Sequence, residues 1–176
     1  IHLAFTRRFE LRRGVVLMAE ALKILLQSVP QLKVTLAGSG LYEPWLKQKF
    51  RGESRVIIKE AAHEEIYALL NTVHIAVIPS TYSEGTSLAC LEAMACGCAV
   101  VSTTTGGLGN LVIPGYNGMF AQPEAGDIAK IIAQLIDIPE NTKRMAMNGY
   151  RMVQEAFALS IWEKRIKQVL SDAGIR

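Results

Sequence analysis

Residues 74–102 read His74-Ile75-Ala76-Val77-Ile78-Pro79-Ser80-Thr81-Tyr82-Ser83-Glu84-Gly85-Thr86-Ser87-Leu88-Ala89-Cys90-Leu91-Glu92-Ala93-Met94-Ala95-Cys96-Gly97-Cys98-Ala99-Val100-Val101-Ser102. His74 to Ile78 is a short apolar run closed by Pro79, and Ala99 to Ser102 is a second such run. Between them, Thr86 to Ala95 has the composition of a helix. A strand that faces water on one side alternates apolar with polar residues; these two do not. Strands apolar at consecutive positions and joined through a helix belong to a parallel sheet covered on both faces.

The same alternation extends in both directions. Upstream, strands are expected at His2–Phe5, Lys33–Ala37 and Arg55–Lys59, with helices at Gly14–Ser28, Tyr42–Phe50 and Glu64–Asn71. The first helix carries Val15, Met18, Ala19, Leu22, Leu25 and Leu26 at helical spacing and ends at Pro30. Downstream come a Gly-rich stretch from Gly106 to Gly109 and turn chemistry from Pro114 to Gly118. A last short strand is expected at Met119–Ala121, followed by helix. The pattern predicts a doubly wound, Rossmann-like α/β fold with a parallel sheet. Ligands of such folds sit beyond the carboxyl ends of the strands, which selects the loops Thr6–Arg13, Gly38–Leu41, Ser80–Ser87 and Thr103–Asn110.

The 176 residues are read as one domain, with 157–176 as a helical tail. Half are apolar and a fifth charged, an ordinary globular balance. No apolar run is long enough to suggest a spanning helix, and the start carries no signal-peptide pattern. The chain opens in an apolar run without Met, which reads as a piece of a longer protein. A net charge of +3 without aromatic interleaving of the basic residues argues against nucleic acid as a partner. Cys90, Cys96 and Cys98 lack further ligands at zinc spacing and read as reduced thiols of a cytoplasmic protein. No metal or cofactor site is expected. His74 is read as a packed or rim histidine, and His63 as a helix-start residue.

Two loops carry the chemistry. The first, from Thr6 to Gly14, holds Arg7, Arg8, Arg12 and Arg13 at the end of a strand, where planar guanidinium groups suit phosphate oxygens. In the second, Gly85-Thr86-Ser87 stands at the expected helix start, where free backbone N–H groups and the positive end of the dipole favour an anion such as a diphosphate. Glu84 lies before that helix and Glu92 within it. Eight helical residues rise about 12 Å, an upper bound on their axial separation. That suits hydroxyls on either side of a diphosphate better than a close acid/base couple.

Glu84 and Glu92 also form an E-x7-E pattern that resembles the signature of family 4 retaining glycosyltransferases. The neighbouring motifs agree: Pro79-Ser80 before it, Glu84-Gly85 at its start, Leu91-Glu92-Ala93-Met94-Ala95-Cys96-Gly97 at its end, and Thr104-Thr105-Gly106-Gly107 beyond. Upstream, Arg7, Arg13-Gly14 and Gly38-Ser39-Gly40 match that family's Arg, Lys-Gly and G-x-G, so the resemblance runs over nearly the whole chain. It implies the C-terminal lobe of the GT-B architecture, binding a UDP- or GDP-linked sugar. Arg7 and Arg13 would hold and neutralise the leaving diphosphate. Glu84 would bind donor-sugar hydroxyls, and Glu92 the ribose. Thr86, Ser87 and Leu88 would offer backbone N–H groups beside Gly85. The base would lie against the loop after Lys59, and Gly38, Gly40 and Gly107 would allow close approach of the chain. Two departures stand out: Arg13 replaces the family's lysine, and Asn110 stands where an acidic residue is common.

The resemblance further implies a metal-independent enzyme that retains anomeric configuration, in polysaccharide or glycolipid synthesis. Its acceptor would be a sugar or a lipid-linked glycan, with peripheral contact at the inner face of the cell membrane in the latter case. The acceptor site would belong to an N-terminal lobe outside these residues. The alternative is a nucleotide-sugar-binding module that is inactive alone. A nicotinamide oxidoreductase is disfavoured, because arginines occupy the first turn where G-x-G-x-x-G would stand. Phe157, Ile161, Trp162 and Ile166 form an apolar series expected either to join the core or to cross to that other lobe.

Overall fold

A computed structural model of the chain describes residues 1–175. Six parallel strands form one sheet: β1 (His2–Thr6), β2 (Lys33–Ala37), β3 (Val56–Lys59), β4 (Ile75–Ile78), β5 (Ala99–Ser102) and β6 (Gly118–Phe120), in the order β3-β2-β1-β4-β5-β6. The helices are α1 (Val15–Ser28), α2 (Glu43–Lys49), α3 (His63–Leu70), α4 (Leu88–Ala95), α5 (Ala125–Asp137), α6 (Pro139–Met152) and α7 (Leu159–Asp172). The order reverses direction between β1 and β4. Loops leaving those two strands for opposite sides open a crevice, the usual ligand position of this fold.

Alternate residues of each central strand feed two cores. Leu3, Phe5, Val34, Leu36, Ile75, Val77 and Val101 pack with α1 and α5 residues such as Leu22 and Ile132. Ala4, Ala76, Ile78 and Val100 face the other way, toward Leu70, Cys90, Ala93 and Met94. Both faces of the central strands are thus dry, which is why these carry no polar alternation, whereas the edge strand β3 leaves Ile57 and Lys59 exposed.

Several boundaries move. α4 begins at Leu88 rather than Thr86, with Ser87 in extended conformation as its cap. His74 stands just outside β4 and is exposed, its Nδ1 accepting the backbone N–H of His2 at 3.1 Å. His63 opens α3 and stacks edge-on against Tyr67; the capping contact there comes from Glu65, whose carboxylate accepts the Ala62 N–H at 2.8 Å. Cys90 and Cys98 are buried and Cys96 half-buried, all as free thiols. Burial pushes the Cys90 and Cys98 thiols up to about 12.

The turn before β6 is locked from within. Asn117, fully buried, accepts the Ile113 N–H at 2.7 Å and donates to the Leu111 carbonyl at 2.9 Å. Beyond α6 a π-helical turn, Val153–Phe157, leads into α7. No residue of α7 is buried; Phe157, Trp162 and Ile166 are exposed and Ile161 is half-buried. The apolar tail series therefore does not join the core. Among the described residues no helix is long and apolar enough to cross a membrane.

Candidate functional site

β1 and β4 deliver their chemistry to one point. Thr6 ends β1, and Arg7 follows with its guanidinium buried against the end of β4. Arg7 Nη1 donates to Ser80 Oγ at 2.8 Å, and Arg7 Nη2 pairs with Glu84 Oε1. Arg13, at the end of a 3-10 turn (Leu11–Arg13), brings its Nη1 to the same oxygen at 2.7 Å. Ser80 Oγ–H donates to Glu84 Oε1 as well. One carboxylate oxygen thus faces two guanidinium groups and a hydroxyl.

The four arginines of the first loop divide by this geometry. Arg8 and Arg12 are exposed and pair with Glu10, at 3.3 and 2.6 Å. Arg7 and Arg13 turn inward to Glu84. Burial raises the Glu84 carboxyl, but Ser80, Arg7 and Arg13 together hold it below its ordinary value, so it stays ionised. Burial also draws the Arg7 guanidinium down, against the pull of Glu84. Two arginines against one carboxylate leave an excess positive charge facing the crevice.

A cavity of about 390 Å³ opens there, lined by Arg7, Arg13, Ser83, Glu84, Gly85, Thr86, Leu88 and Ala89. Leu88 is largely exposed at the first turn of α4, and the helix's free N–H groups begin beside it. Arg7, Arg13, Glu84, Gly85, Thr86 and Leu88, all singled out in the sequence, therefore share one cavity with Ser83 and Ala89. Others lie apart. Ser87 is buried, with its hydroxyl unpartnered. Glu92 is half-buried on α4 outside the cavity lining, close enough to Tyr67 and Cys96 to reinforce the rise that burial imposes on both. Since α4 starts at Leu88, regular helix separates it from Glu84 only over residues 88–92, a rise of about 6 Å.

The glycines expected to let the chain approach a ligand serve first to bring chain against chain. A Cβ on Gly38 would stand 2.1 Å from the Arg7 carbonyl oxygen, and one on Gly107 2.2 Å from that of Gly85. Gly107 N–H donates to the Glu84 carbonyl at 2.9 Å, so the loop after β5 holds the acidic loop in place. Gly38 and Gly40 lie outside the cavity lining. Beyond the Pro79-Ser80 pair, the sequence assigns no role to the Ser80 side chain. Fully buried, it links Arg7 to Glu84, and its carbonyl accepts Thr103 Oγ1 at 2.6 Å and Thr105 Oγ1 at 3.0 Å. Its position at the carboxyl end of β4 was the available signal.

The sequence pattern of the family described as "Glycosyl transferases group 1" matches residues 2–152. A glycogen synthase of Mycobacterium tuberculosis is 33% identical over 150 residues, covering 82% of this chain and 36% of its own. The C-terminal domain of a glycosyl transferase group 1 family protein (LpcC) from Francisella tularensis superimposes with a TM-score of 0.81 at 26% identity, covering 90% of this chain and 86% of that one. Anabaena HepE, solved in complex with UDP-glucose, superimposes with a TM-score of 0.85 at 26% identity, over 97% of this chain and 48% of HepE. The chain thus spans well under two thirds of the synthase and of HepE, and most of the isolated LpcC domain.

Proposed function

The chain belongs to the glycosyl transferases group 1 family, and from that premise we propose that the Arg7–Glu84–Arg13 cavity receives a nucleoside diphosphate sugar. The observation that carries this is the convergence of two inward arginines and one ionised carboxylate at the switch point of the sheet, beside the start of α4. The excess positive charge and the helix N–H groups suit a diphosphate. Glu84 suits a sugar hydroxyl, which donates to a carboxylate. HepE's complex with UDP-glucose supports this class of ligand.

In the parent enzyme, transfer goes to the hydroxyl of a sugar or lipid-linked acceptor held by residues outside this chain, with retained anomeric configuration. As the bond from the anomeric carbon to the diphosphate breaks, negative charge grows on the leaving oxygens, and Arg7, Arg13 and the α4 start are arranged to stabilise it. No side chain of the cavity stands as a separate general base in this reading. The departing phosphate takes the acceptor proton on the front face of the sugar. Glu92, on the α4 surface, is proposed to reach the ribose rather than the reacting centre. Roles in polysaccharide or glycolipid synthesis belong to this proposal.

The chain alone is proposed to bind donor without transferring it, because every lining residue comes from one lobe. The test is calorimetry with UDP, GDP and ADP and their glucose and mannose conjugates, alongside donor turnover by the full-length parent. One nucleotide series is expected to bind, and Glu84→Ala in the parent is expected to lose at least about a hundredfold in turnover, the scale of removing one charged transition-state contact. Failure of every nucleotide to bind, or wild-type turnover by that variant, overturns the reading.

A further inference from the structure

We propose that Ser80 is a positioning residue that fixes how the Glu84 carboxylate is shared: Oε1 is held by the protein, and Oε2 is presented to the donor sugar. This rests on the donor-site reading above and assigns the atoms within it.

The two oxygens of Glu84 have different surroundings. Oε1 meets Arg7 Nη2, Arg13 Nη1 and the Ser80 hydroxyl. Among the described residues none donates to Oε2. That atom is not enclosed either: the fully enclosed side-chain oxygens without a partner are Ser87 Oγ and Ser102 Oγ. Glu84 lines the cavity, and with Oε1 occupied by the protein, Oε2 is the carboxylate oxygen free to accept from a ligand there. An ionised carboxylate has about four acceptor sites, and the protein fills those of one oxygen.

Two arginines alone would not impose this division. A guanidinium fork matches both oxygens of a carboxylate and tends to bind them together. Ser80 prevents that for Arg7 by accepting from Nη1, so that only Nη2 remains for Glu84. Its own proton then goes to Oε1. The serine splits the fork, one branch to its hydroxyl and one to the carboxylate. It has no freedom to do otherwise, because its side chain is fully buried and its carbonyl is clasped by Thr103 and Thr105 from the loop after β5. The backbone of Glu84 is pinned from the same loop, by Gly107 N–H. Without the hydroxyl, Arg7 is free to take both oxygens, and the acceptor aimed at the sugar is lost while the charges facing the diphosphate stay.

The test compares the wild-type chain with Ser80→Ala and with Ser80→Cys, which keeps the volume but is a poor donor. Calorimetric Kd values are measured for UDP and UDP-glucose, and for GDP and GDP-mannose, between pH 4.5 and 8. The wild type is expected to bind the sugar nucleotide of one pair about tenfold more tightly than the bare nucleotide, the scale of one hydrogen bond to a charged group. In both variants that ratio is expected to fall to within about twofold of unity, while the Kd of the bare nucleotide changes less than about threefold. Any residual preference is expected to vanish at a higher pH than in the wild type, since the hydroxyl helps keep Glu84 ionised. A general loosening of the fold would weaken both ligands together and leave the ratio unchanged. A wild-type ratio and pH profile in either folded variant overturns the assignment to Ser80. A wild type that binds both members of a pair equally overturns the role of Oε2 and leaves the diphosphate site standing. A wild type that binds neither pair overturns the donor-site reading itself.

Discussion

The arginines around Glu84 differ in burial, and that difference sets what each contributes to stability. The Arg7 side chain is 6% exposed and that of Arg13 23%, against 7% for Glu84. Removing one partner of a buried pair leaves the other charge desolvated, whereas a partly exposed pair is screened by water. Arg7→Ala is expected to cost about 3–5 kcal/mol in urea denaturation, and Arg13→Ala under about 1 kcal/mol; equal costs would refute the distinction. His2 gives the chain a pH dependence of its own. Burial lowers its pKa below 6.5, with the charges of His74 and Lys33 adding to this against a hydrogen bond to the Thr72 carbonyl. The unfolded chain therefore takes up the proton first as pH falls. Stability is full above pH 6.5 and declines from there down to the folded-state pKa, below which both states are protonated. Thermal melts between pH 7.5 and 5 are expected to show that decline, and His2→Gln to flatten it.

At the scale of elements, the decisive pieces are short. The loop from Ser80 to Ser87 carries no regular structure, and it holds its shape through Ser80, Gly107 and the start of α4. The turn before β6 depends on Asn117, whose two backbone hydrogen bonds replace those a strand or helix would make. Asn117→Ala leaves a buried carbonyl and a part-buried N–H unpaired and is expected to cost about 1–3 kcal/mol, read as a lower denaturation midpoint with an unchanged slope. α4, with apolar Leu88 exposed and Cys90, Ala93 and Met94 buried, presents its first turn to the crevice and its body to the core. Sequence patterning identified this helix but set its start two residues early, because Thr86 and Ser87 are as compatible with a first turn as with a loop. The real boundary reflects Ser87 in extended conformation, a backbone choice that composition does not encode.

For the whole molecule, the sheet closes two cores without α7. That helix carries Leu159, Trp162, Ile166, Val169 and Leu170 exposed, at spacings of three, four, three and one, and none of its residues is buried. Truncation after Ala158 is therefore expected to shift the melting temperature of this chain by less than about 2 °C. A larger drop would mean that α7 supports the cores after all. In the parent, α7 is proposed to lay that apolar stripe on the acceptor lobe.

The sequence alone determined the layered architecture, because short apolar runs closed by Gly or Pro and alternating with longer helical patterns fit a parallel sheet covered by helices. It also determined which loops carry charge, since strand ends and glycine-rich turns are local signals. Tertiary structure decided which of those charges meet. That Arg7 and Arg13 turn to Glu84 while Arg8 and Arg12 turn to Glu10 follows from the placement of β4 beside β1, a pairing between segments about seventy residues apart. The same pairing sets Ser80 between Arg7 and Glu84, while Glu92, one turn along α4 from Leu88, stands near Tyr67 and Cys96 outside the cavity lining. Helical periodicity fixes a residue's direction about its own axis; only packing fixes what lies in that direction.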